Sequence, residues 1–321
     1  MRDISKLKDI VTPVYGVDVG GSSVKLGRFD SKDLTLLRSW RINTDLLGDS
    51  QMVLERIALE IKEDIENEEI KPDYVVGIGI GVPGPVVGGI INKGINLDWE
   101  SFNVEATLKE MTGMKVCALN DANAAVLGEY WNGAGKGYKN IVMLTLGTGV
   151  GGGIILNGNL ENGFTGGAGE VGHICVNYAE TEECRCGHKG CLEQYIGNKG
   201  IVKLFLKNGG EDDPKRELHA KDVFEMAKTG DKAAQQAMDE ASEILGIAMA
   251  GIASVINPEV FVIGGGISNS GDAFIRKAET AFKAHAFHAV SSAKILRAGL
   301  NDESGIYGAA GWLLKNRNVG D

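Results

Sequence analysis

The chain has 321 residues, which is enough for two domains with hydrophobic cores. Apolar and charged fractions of 43% and 24% exclude a disordered chain, and a formal net charge of −10 argues against a nucleic-acid-binding surface. Residues 1–10 hold no apolar signal core, and the longest apolar run, 244–256, is too short to span a bilayer. We therefore expect a cytoplasmic protein with reduced cysteines and with no membrane or nucleic-acid partner.

The first part of the chain alternates strands and helices. Residues 14–20 (VYGVDVG) show the β-branched alternation of a buried strand, a Gly-Gly-Ser-Ser turn follows, and 24–29 runs back. The other predicted elements are strands at 34–42, 73–81 and 115–119, and helices at 51–69, 104–112 and 122–131.

A second unit of strand, glycine turn and strand occupies 141–157. This repeat indicates duplicated α/β halves that face one cleft, and we place the two domains at 1–120 and 121–321. The remaining predicted elements are helices at 201–207, 220–229 and 231–256, strands at 259–263 and 293–297, and a helix at about 304–316. We expect that last helix to pack back on the first domain.

Both glycine turns are candidate phosphate loops, because glycine N–H groups approach an anion without a Cβ in the way. The candidate nucleotide ligands are Asp18, Gly20, Gly21, Ser22, Ser23 and Lys25 in the first turn, and Gly147, Thr148, Gly149, Gly151 and Gly152 in the second. Asp18 is placed to hold Mg²⁺, directly or through water. A plain hairpin accounts for the first turn equally well, whereas the second has more glycines than a hairpin needs.

A third glycine cluster, Gly264–Gly266, lies at the end of a predicted strand and before a helix. Ligands of α/β sheets usually bind at that position, so Gly265 and Gly266 are candidates for the adenosine part of a nucleotide.

Asn120 and Asp121 stand at the start of the predicted helix 122–131. Asn and Asp often cap helices, and capping alone would explain both residues. The functional interpretation is a general base that takes a proton from an attacking hydroxyl group. The two roles are compatible.

One stretch, GEVGHICVNYAETEECRCGHKGCLE at 169–193, brings together the ligand set that Zn²⁺ prefers in structural sites. The candidate ligands are His173, Cys184, Cys186 and Cys191, while His188 could replace His173 and Cys175 could enter the shell. A metal-bound His has a fixed tautomer, so the other ring nitrogen of His173 could bind a substrate oxygen. With Glu170 and Glu193 as acceptors, we expect a polyol-binding wall in which zinc supplies rigidity and not chemistry.

Seven motifs together resemble the ROK family of bacterial sugar kinases and sugar-responsive repressors. In chain order they are DVGGSSVKLG, GVPGP, LNDANAAVLGE, LTLGTGVGGG, GEVGH, CRCGHKGCLE and VIGGGIS, which span about 14–312. The resemblance implies two duplicated ribonuclease H-like α/β domains of the actin-like ATPase and hexokinase superfamily around a cleft. One departure is Ser22, where the family usually has Thr, and both residues offer a hydroxyl group.

The resemblance also implies roles for individual residues. Asp121 matches the catalytic base that activates the sugar 6-hydroxyl. Contacts to the sugar are implied for Asn96, Asn120, Asp121, Glu170, His173 and Glu193. The zinc ligands implied are His173, Cys184, Cys186 and Cys191, and the phosphate loops implied are 20–23 and 147–152.

Two classes of function follow from this family. We expect an ATP-dependent hexose kinase that uses Mg²⁺, carries a structural Zn²⁺ and acts on glucose first, with N-acetylmannosamine or another hexose as the alternative substrate. The other class is a sugar-sensing regulator without kinase activity. Only about thirteen residues precede the first predicted strand, which leaves no room there for a DNA-binding helix-turn-helix module. The family further suggests a homodimer or homotetramer.

Overall fold

The computed structural model describes residues 11–21, 23–43, 49–92, 99–213, 216–270 and 272–317. The chain forms two compact units, one made of 1–128 and 303–321 and the other of 129–302. The division falls at Gly128/Glu129, inside helix Asp121–Asn132, whereas the sequence analysis placed it near residue 120. A helix that begins in one unit and ends in the other leaves no turn or change in composition for the sequence to signal.

The first unit is built on a five-stranded mixed sheet. Its elements are β1 (Pro13–Val19), β2 (Ser23–Asp30), β3 (Leu36–Asn43), α1 (Ser50–Asn67), β4 (Gly77–Val82), β5 (Val86–Val87), β6 (Ile90–Ile91), β7 (Phe102–Asn103), α2 (Val104–Thr112), β8 (Val116–Asn120) and α3 (Asp121–Asn132). The sheet order is β3-β2-β1-β4-β8, and β5, β6 and β7 form a small separate sheet. The predicted strand 73–81 starts later than expected because Pro72–Tyr74 forms a helical turn.

The C-terminal helix α9 (Ser304–Asn316) packs against β1 and β4 of the first unit. Two strand glycines make this approach possible. A Cβ at Gly16 would lie 2.0 Å from the Ile306 carbonyl oxygen, and one at Gly79 would lie 1.8 Å from that of Ala309. Any larger residue at either position would push the helix off the sheet.

The second unit repeats the arrangement of the first. Its elements are β9 (Ile141–Leu146), β10 (Val150–Leu156), β11 (Asn159–Leu160), α4 (Glu193–Ile196), α5 (Asn198–Lys207), α6 (Ala220–Lys228), α7 (Lys232–Ile256), β12 (Val260–Gly264), α8 (Asp272–His285) and β13 (Lys294–Arg297). Its sheet order is β11-β10-β9-β12-β13. The buried faces of α5 to α8 pack into one apolar cluster with this sheet.

The two sheets share one topology. In each, the first strand pairs antiparallel with the second and parallel with the fourth, and the fifth strand lies parallel beyond the fourth. The order third-second-first-fourth-fifth thus occurs twice, which confirms the predicted pair of duplicated α/β domains. Because the strand-turn-strand hairpin lies at the same place in both sheets, each unit presents one glycine turn from equivalent strands. In the part of the chain that the structure describes, no helix is long and apolar enough to cross a membrane.

Candidate functional site

The second glycine turn, 147–149, connects β9 to β10. Gly147 N–H donates to the Gly149 carbonyl at 3.0 Å, which closes the turn. Asn198, the first residue of α5, donates its N–H to the Gly147 carbonyl at 2.9 Å. The Asn198 side chain accepts from Ala220 N–H at 2.8 Å. The N-termini of α5 and α6 are therefore linked to the turn through Asn198. This role of Asn198 could not be predicted from the sequence, because Asn198 lies about fifty residues away along the chain.

Gly265 lies directly beside this turn in the same unit. Its φ of +84° favours glycine, and a Cβ there would lie 2.3 Å from the Leu146 carbonyl oxygen at the end of β9. The neighbouring Gly266 leaves open space, since a Cβ there meets no described atom within 4 Å. The structure thus brings the predicted adenosine position and the second phosphate loop together.

The first glycine turn connects β1 to β2, and Gly20 N–H donates to the Ser23 carbonyl at 3.0 Å. Ser22 lies outside the described residues. Asp18 and Lys25 oppose each other across the two strands. Asp18 also lies against α9, because a Cβ at Gly305 would lie 2.5 Å from Asp18 Oδ2. The Asp18 carboxyl therefore lies beside the first turn of α9 and two residues before Gly20.

Asn120 ends β8 and caps α3, as its Oδ1 accepts from Asn123 N–H at 3.0 Å. Its amide nitrogen donates to Asp121 Oδ1 at 2.9 Å and to the Gly84 carbonyl at 3.2 Å. Asp121 Oδ1 also accepts from Ala122 N–H at 2.8 Å. Asn120 is therefore the N-cap of α3. The hydrogen bonds to Asp121 Oδ1 hold the Asp121 carboxyl in one orientation at the start of the helix. Asn96, the other predicted sugar contact of this unit, lies outside the described residues.

The ligand atoms of His173, Cys184, Cys186 and Cys191 all lie within 4.8 Å of one another. Cys186 Sγ is 3.6 Å from Cys191 Sγ, and Cys184 Sγ is 3.9 Å from His173 Nδ1. Tetrahedral Zn²⁺ with Zn–S bonds of about 2.3 Å requires edges of about 3.8 Å, so the group fits this metal. Neither Cys175 nor His188 belongs to the group.

Two glycines with positive φ allow residues 175–191, the cysteine loop, to fold back on themselves. Gly187 and Gly190 have φ of +86° and +76°, which glycine adopts without strain. Burial raises the pKa of the Cys184 and Cys191 thiols, to about 11 for Cys191. A metal must therefore displace protons from both thiols when it binds.

Glu193 connects the candidate metal-ligand group to the second glycine turn. Its Oε1 accepts from Cys184 Sγ at 3.0 Å and lies 4.0 Å from His173 Nδ1. Its Oε2 lies against Gly149, where a Cβ would be 2.6 Å away. Cys184, Glu193 and Gly149 thus form one continuous line of contacts in the second unit.

Glu170 lies just before the helical turn that carries His173. The carboxyl group of Glu170 is desolvated, which raises its pKa, although the residue as a whole is exposed. His173 lowers this pKa, and the nearby Glu193 carboxylate raises it further. The charges of His173 and Glu193 therefore act on the Glu170 carboxyl, as expected for groups that share one binding wall.

A set of contacts that the sequence analysis did not identify holds the cysteine loop to α4 and α5. Tyr195 donates its hydroxyl to Glu180 Oε2 at 2.6 Å and accepts from Asn177 Nδ2 at 2.8 Å. Lys203 lies 3.4 Å from the same Glu180 oxygen. Because Tyr195 is two residues from Glu193 on α4, these contacts help to hold the segment that carries Glu193.

This chain is similar to known proteins over nearly its whole length. The model of the ROK family matches residues 14–316. A glucokinase of Halalkalibacterium halodurans is 37% identical over 94% of both chains, and an N-acetyl-D-glucosamine kinase of Mannheimia succiniciproducens is 31% identical over 94% of this chain and 99% of that protein. The solved structure of a ROK family glucokinase from Streptomyces griseus, in complex with glucose and AMPPNP, has a TM-score of 0.81 at 29% identity and covers 94% of this chain and 98% of that one. The chain therefore belongs to the ROK family.

Proposed function

We propose that this protein is an ATP-dependent hexose kinase that transfers the γ-phosphate of ATP to the 6-hydroxyl of glucose. The observation that carries the proposal is the line of contacts from Cys184 through Glu193 to Gly149. A group that suits a structural metal, a carboxylate that suits a sugar and a loop that suits phosphate are built into one framework. A kinase needs this continuity because the sugar and the nucleotide have to be held in fixed register.

Asp121 is the proposed general base. Phosphoryl transfer depends mainly on positioning and on charge stabilisation, with a carboxylate accepting the proton of the attacking hydroxyl. The fixed orientation of the Asp121 carboxyl at the start of α3 supports this role. Asn120, Glu170, His173 and Glu193 are the proposed sugar contacts, together with Asn96.

The proposed nucleotide contacts are Gly20 to Ser23, Lys25, and Gly147 to Gly152, with Gly265 and Gly266 at the adenosine. Asp18 is the proposed holder of Mg²⁺, which would balance charge on the phosphates. The supporting observation is its position at the end of β1, two residues before the first glycine turn.

A structural Zn²⁺ is the proposed occupant of the group formed by His173, Cys184, Cys186 and Cys191. When bound, the metal supplies a rigid anchor for the loop. Because His173 Nδ1 is the ring nitrogen nearest Cys184, its other nitrogen remains to donate to a sugar oxygen. The chain's own carboxylates, Glu170 and Glu193, orient the sugar.

The experiment is a substrate panel with ATP and coupled detection of ADP. Glucose, mannose, N-acetylglucosamine and N-acetylmannosamine are compared singly and in equimolar competition. Preferred phosphorylation of glucose supports the proposal, and preference for an amino sugar would replace the substrate while the kinase activity stands. Sugar binding without phosphorylation of any hexose would favour the sugar-sensing class instead.

The assembly and the compartment are part of the same proposal. We expect a cytoplasmic homodimer or homotetramer, supported by the resemblance to the family. Light scattering of the purified protein measures the assembly directly, and a monomer at micromolar concentration would contradict it.

A further inference from the structure

Cys175 and Cys191 face each other across a short antiparallel pair of segments. Backbone hydrogen bonds flank this pair on both sides, from Val176 N–H to the Gly190 carbonyl at 2.7 Å and from Leu192 N–H to the Ile174 carbonyl at 2.9 Å. With the flanking residues bonded, the two cysteines form the non-hydrogen-bonded type of pair. In such a pair the Cα atoms lie about 4.5 Å apart and the side chains leave on the same face. That separation falls within the range of about 4.4–6.8 Å that a disulfide spans.

The environments of the two thiols differ. Cys175 is exposed, while Cys191 is 1% exposed and belongs to the metal-ligand group. The absence of a side chain at Gly190 leaves space for Cys175, because a Cβ at Gly190 would lie 3.1 Å from Cys175 Sγ. An oxidant in solution therefore reaches Cys175 without any prior opening of the metal-ligand group.

We propose that Cys175 and Cys191 form a reversible disulfide when the protein meets a hydroperoxide, and that its formation removes Cys191 from the metal site. The Cys175 thiol first attacks the peroxide oxygen, which breaks the O–O bond and gives a sulfenic acid and an alcohol or water. The Cys191 sulfur then attacks Cys175 Sγ, and hydroxide leaves and is protonated to water. Two thiols lose two electrons to one hydroperoxide, so the reaction balances.

The consequence is local and reversible. Cys191 in a disulfide has no thiolate to offer, so three ligands remain and the affinity for a tetrahedral metal falls. Leu192 and Glu193 follow Cys191 directly in the chain. Glu193, the proposed sugar-binding carboxylate, is then held by the Tyr195 contacts but no longer by the metal-ligand group. Reduction by a dithiol regenerates both thiols and restores the site.

Another disulfide within the loop is the main competitor. Cys186 Sγ is only 3.6 Å from Cys191 Sγ, and oxidation could join these two ligands instead. The distinguishing feature is Cys175, since that alternative pair does not involve it. Cys175→Ser is therefore the test variant, and it replaces none of the residues proposed to bind sugar, nucleotide or metal.

The experiment treats zinc-loaded wild type and Cys175→Ser with hydrogen peroxide, follows zinc release with a chromogenic chelator, and maps disulfides by mass spectrometry. Trypsin together with a Glu-specific protease places each loop cysteine in its own peptide, because Glu180, Glu183, Arg185 and Lys189 separate them. We expect a linked pair of peptides 171–180 and 190–193 in the wild type. Zinc release should be slower by about tenfold or more in Cys175→Ser, because the variant lacks the thiol held opposite Cys191.

Equal rates of zinc release from the two proteins, or a mapped Cys186–Cys191 disulfide in the wild type, would overturn the proposal. The disulfide map does not depend on the metal. If the purified protein holds no zinc, the 171–180 to 190–193 link still supports the disulfide, and its absence still overturns it. Reduction with dithiothreitol, followed by removal of reductant and chelator and addition of Zn²⁺, should restore all thiols and the bound zinc, whereas thiols that are not recovered would contradict a reversible disulfide.

Discussion

Glu193 lies directly against Gly149, so that a Cβ at Gly149 would be 2.6 Å from Glu193 Oε2. The proposed sugar wall and the proposed phosphate loop are therefore in direct contact at these two residues. From the sequence alone, a larger residue at Gly149 is expected to exclude the nucleotide and to leave sugar binding intact. The contact changes that expectation, because the added carbon displaces the Glu193 carboxylate first.

The first prediction compares Gly149→Ala with Gly147→Ala. A Cβ at Gly147 meets no described atom within 4 Å, so this variant is the matched control in the same loop. We expect Gly149→Ala to raise the KM for glucose and weaken direct glucose binding, and Gly147→Ala to leave both near wild type. Calorimetric titration of glucose without nucleotide measures the effect. Unchanged glucose binding in Gly149→Ala would show that the Glu193 contact does not matter.

The second prediction concerns Asp121→Asn. Asparagine keeps an Oδ1 that accepts from Ala122 N–H, so the fold and the helix start are preserved. Loss of a general base lowers kcat by about 10²–10⁴ with a smaller change in sugar affinity. The matched control is Asp231→Asn, which makes the same substitution at the cap of α7, where the side chain accepts from Ala234 N–H. Near-full turnover in Asp121→Asn would remove it from the catalytic role.

The third prediction concerns the metal. Purified protein should contain about one zinc per chain, and Cys184→Ser should lose it. Because Glu193 follows the ligand Cys191 by two residues, loss of the metal should lower the affinity for glucose as well. Cys175→Ser is the control and should keep the zinc. Elemental analysis that finds no zinc in wild type prepared without chelator would contradict the assignment.

The fourth prediction concerns Glu193→Gln. A hydrogen bond to a charged group contributes about 1.5–3 kcal/mol, so the KM for glucose should rise by about 10–100-fold. The KM for ATP should stay close to wild type. Glu182→Gln is the control on the same loop, since the Glu182 side chain is 68% exposed and pairs only with Lys203 among the contacts described here. A glucose KM that is the same in both variants would exclude Glu193 from the sugar wall.

The fifth prediction concerns pH and Tyr195. The hydrogen bond from Tyr195 is the main cause that lowers the pKa of Glu180 from 4.5 to about 2. Because the folded-state pKa is depressed, ionised Glu180 stabilises the fold above about pH 4.5, and this contribution is lost as the pH falls towards 2. Tyr195→Phe should therefore unfold at lower urea concentration than wild type at pH 7, and the difference should shrink at pH 3.

Tyr178→Phe is the control for that measurement, because Tyr178 lies on the same loop and is 94% exposed. It should match wild type at both pH values. A Tyr195→Phe difference that stays constant from pH 7 to pH 3 would mean that lost packing, and not the Glu180 bond, accounts for it.

The sequence by itself predicted the duplicated architecture. Hydrophobic alternation and two glycine turns located the strand pairs β1–β2 and β9–β10, and the shared sheet order confirms that the halves are duplicates. These features are local: side-chain period and turn chemistry depend on residues close together in the chain. The motifs also indicated the family, and the match over 14–316 confirms it.

Other features could not be predicted because they depend on residues far apart in sequence. Glu129 ends a motif on α3 and would be assigned to a solvated helix face, yet it is fully buried. The fold supplies it with N–H donors from Ala134, Gly299 and Leu300 at 2.7–2.9 Å. A buried carboxylate is tolerated only with such partners, and two of them come from a loop about 170 residues away.

The candidate site divides in the same way. Residue type and spacing pointed to His173 and the three cysteines, since a metal-ligand set is recognisable from its chemistry. Only the tertiary structure placed Glu193 between Cys184 and Gly149, bonded Asn198 to the second glycine turn, and left Cys175 opposite Cys191 but outside the ligand group. Sequence fixes which chemical groups a chain carries. Distances of 3 Å between groups from different elements are decided when those elements pack, because close packing leaves each side chain one arrangement.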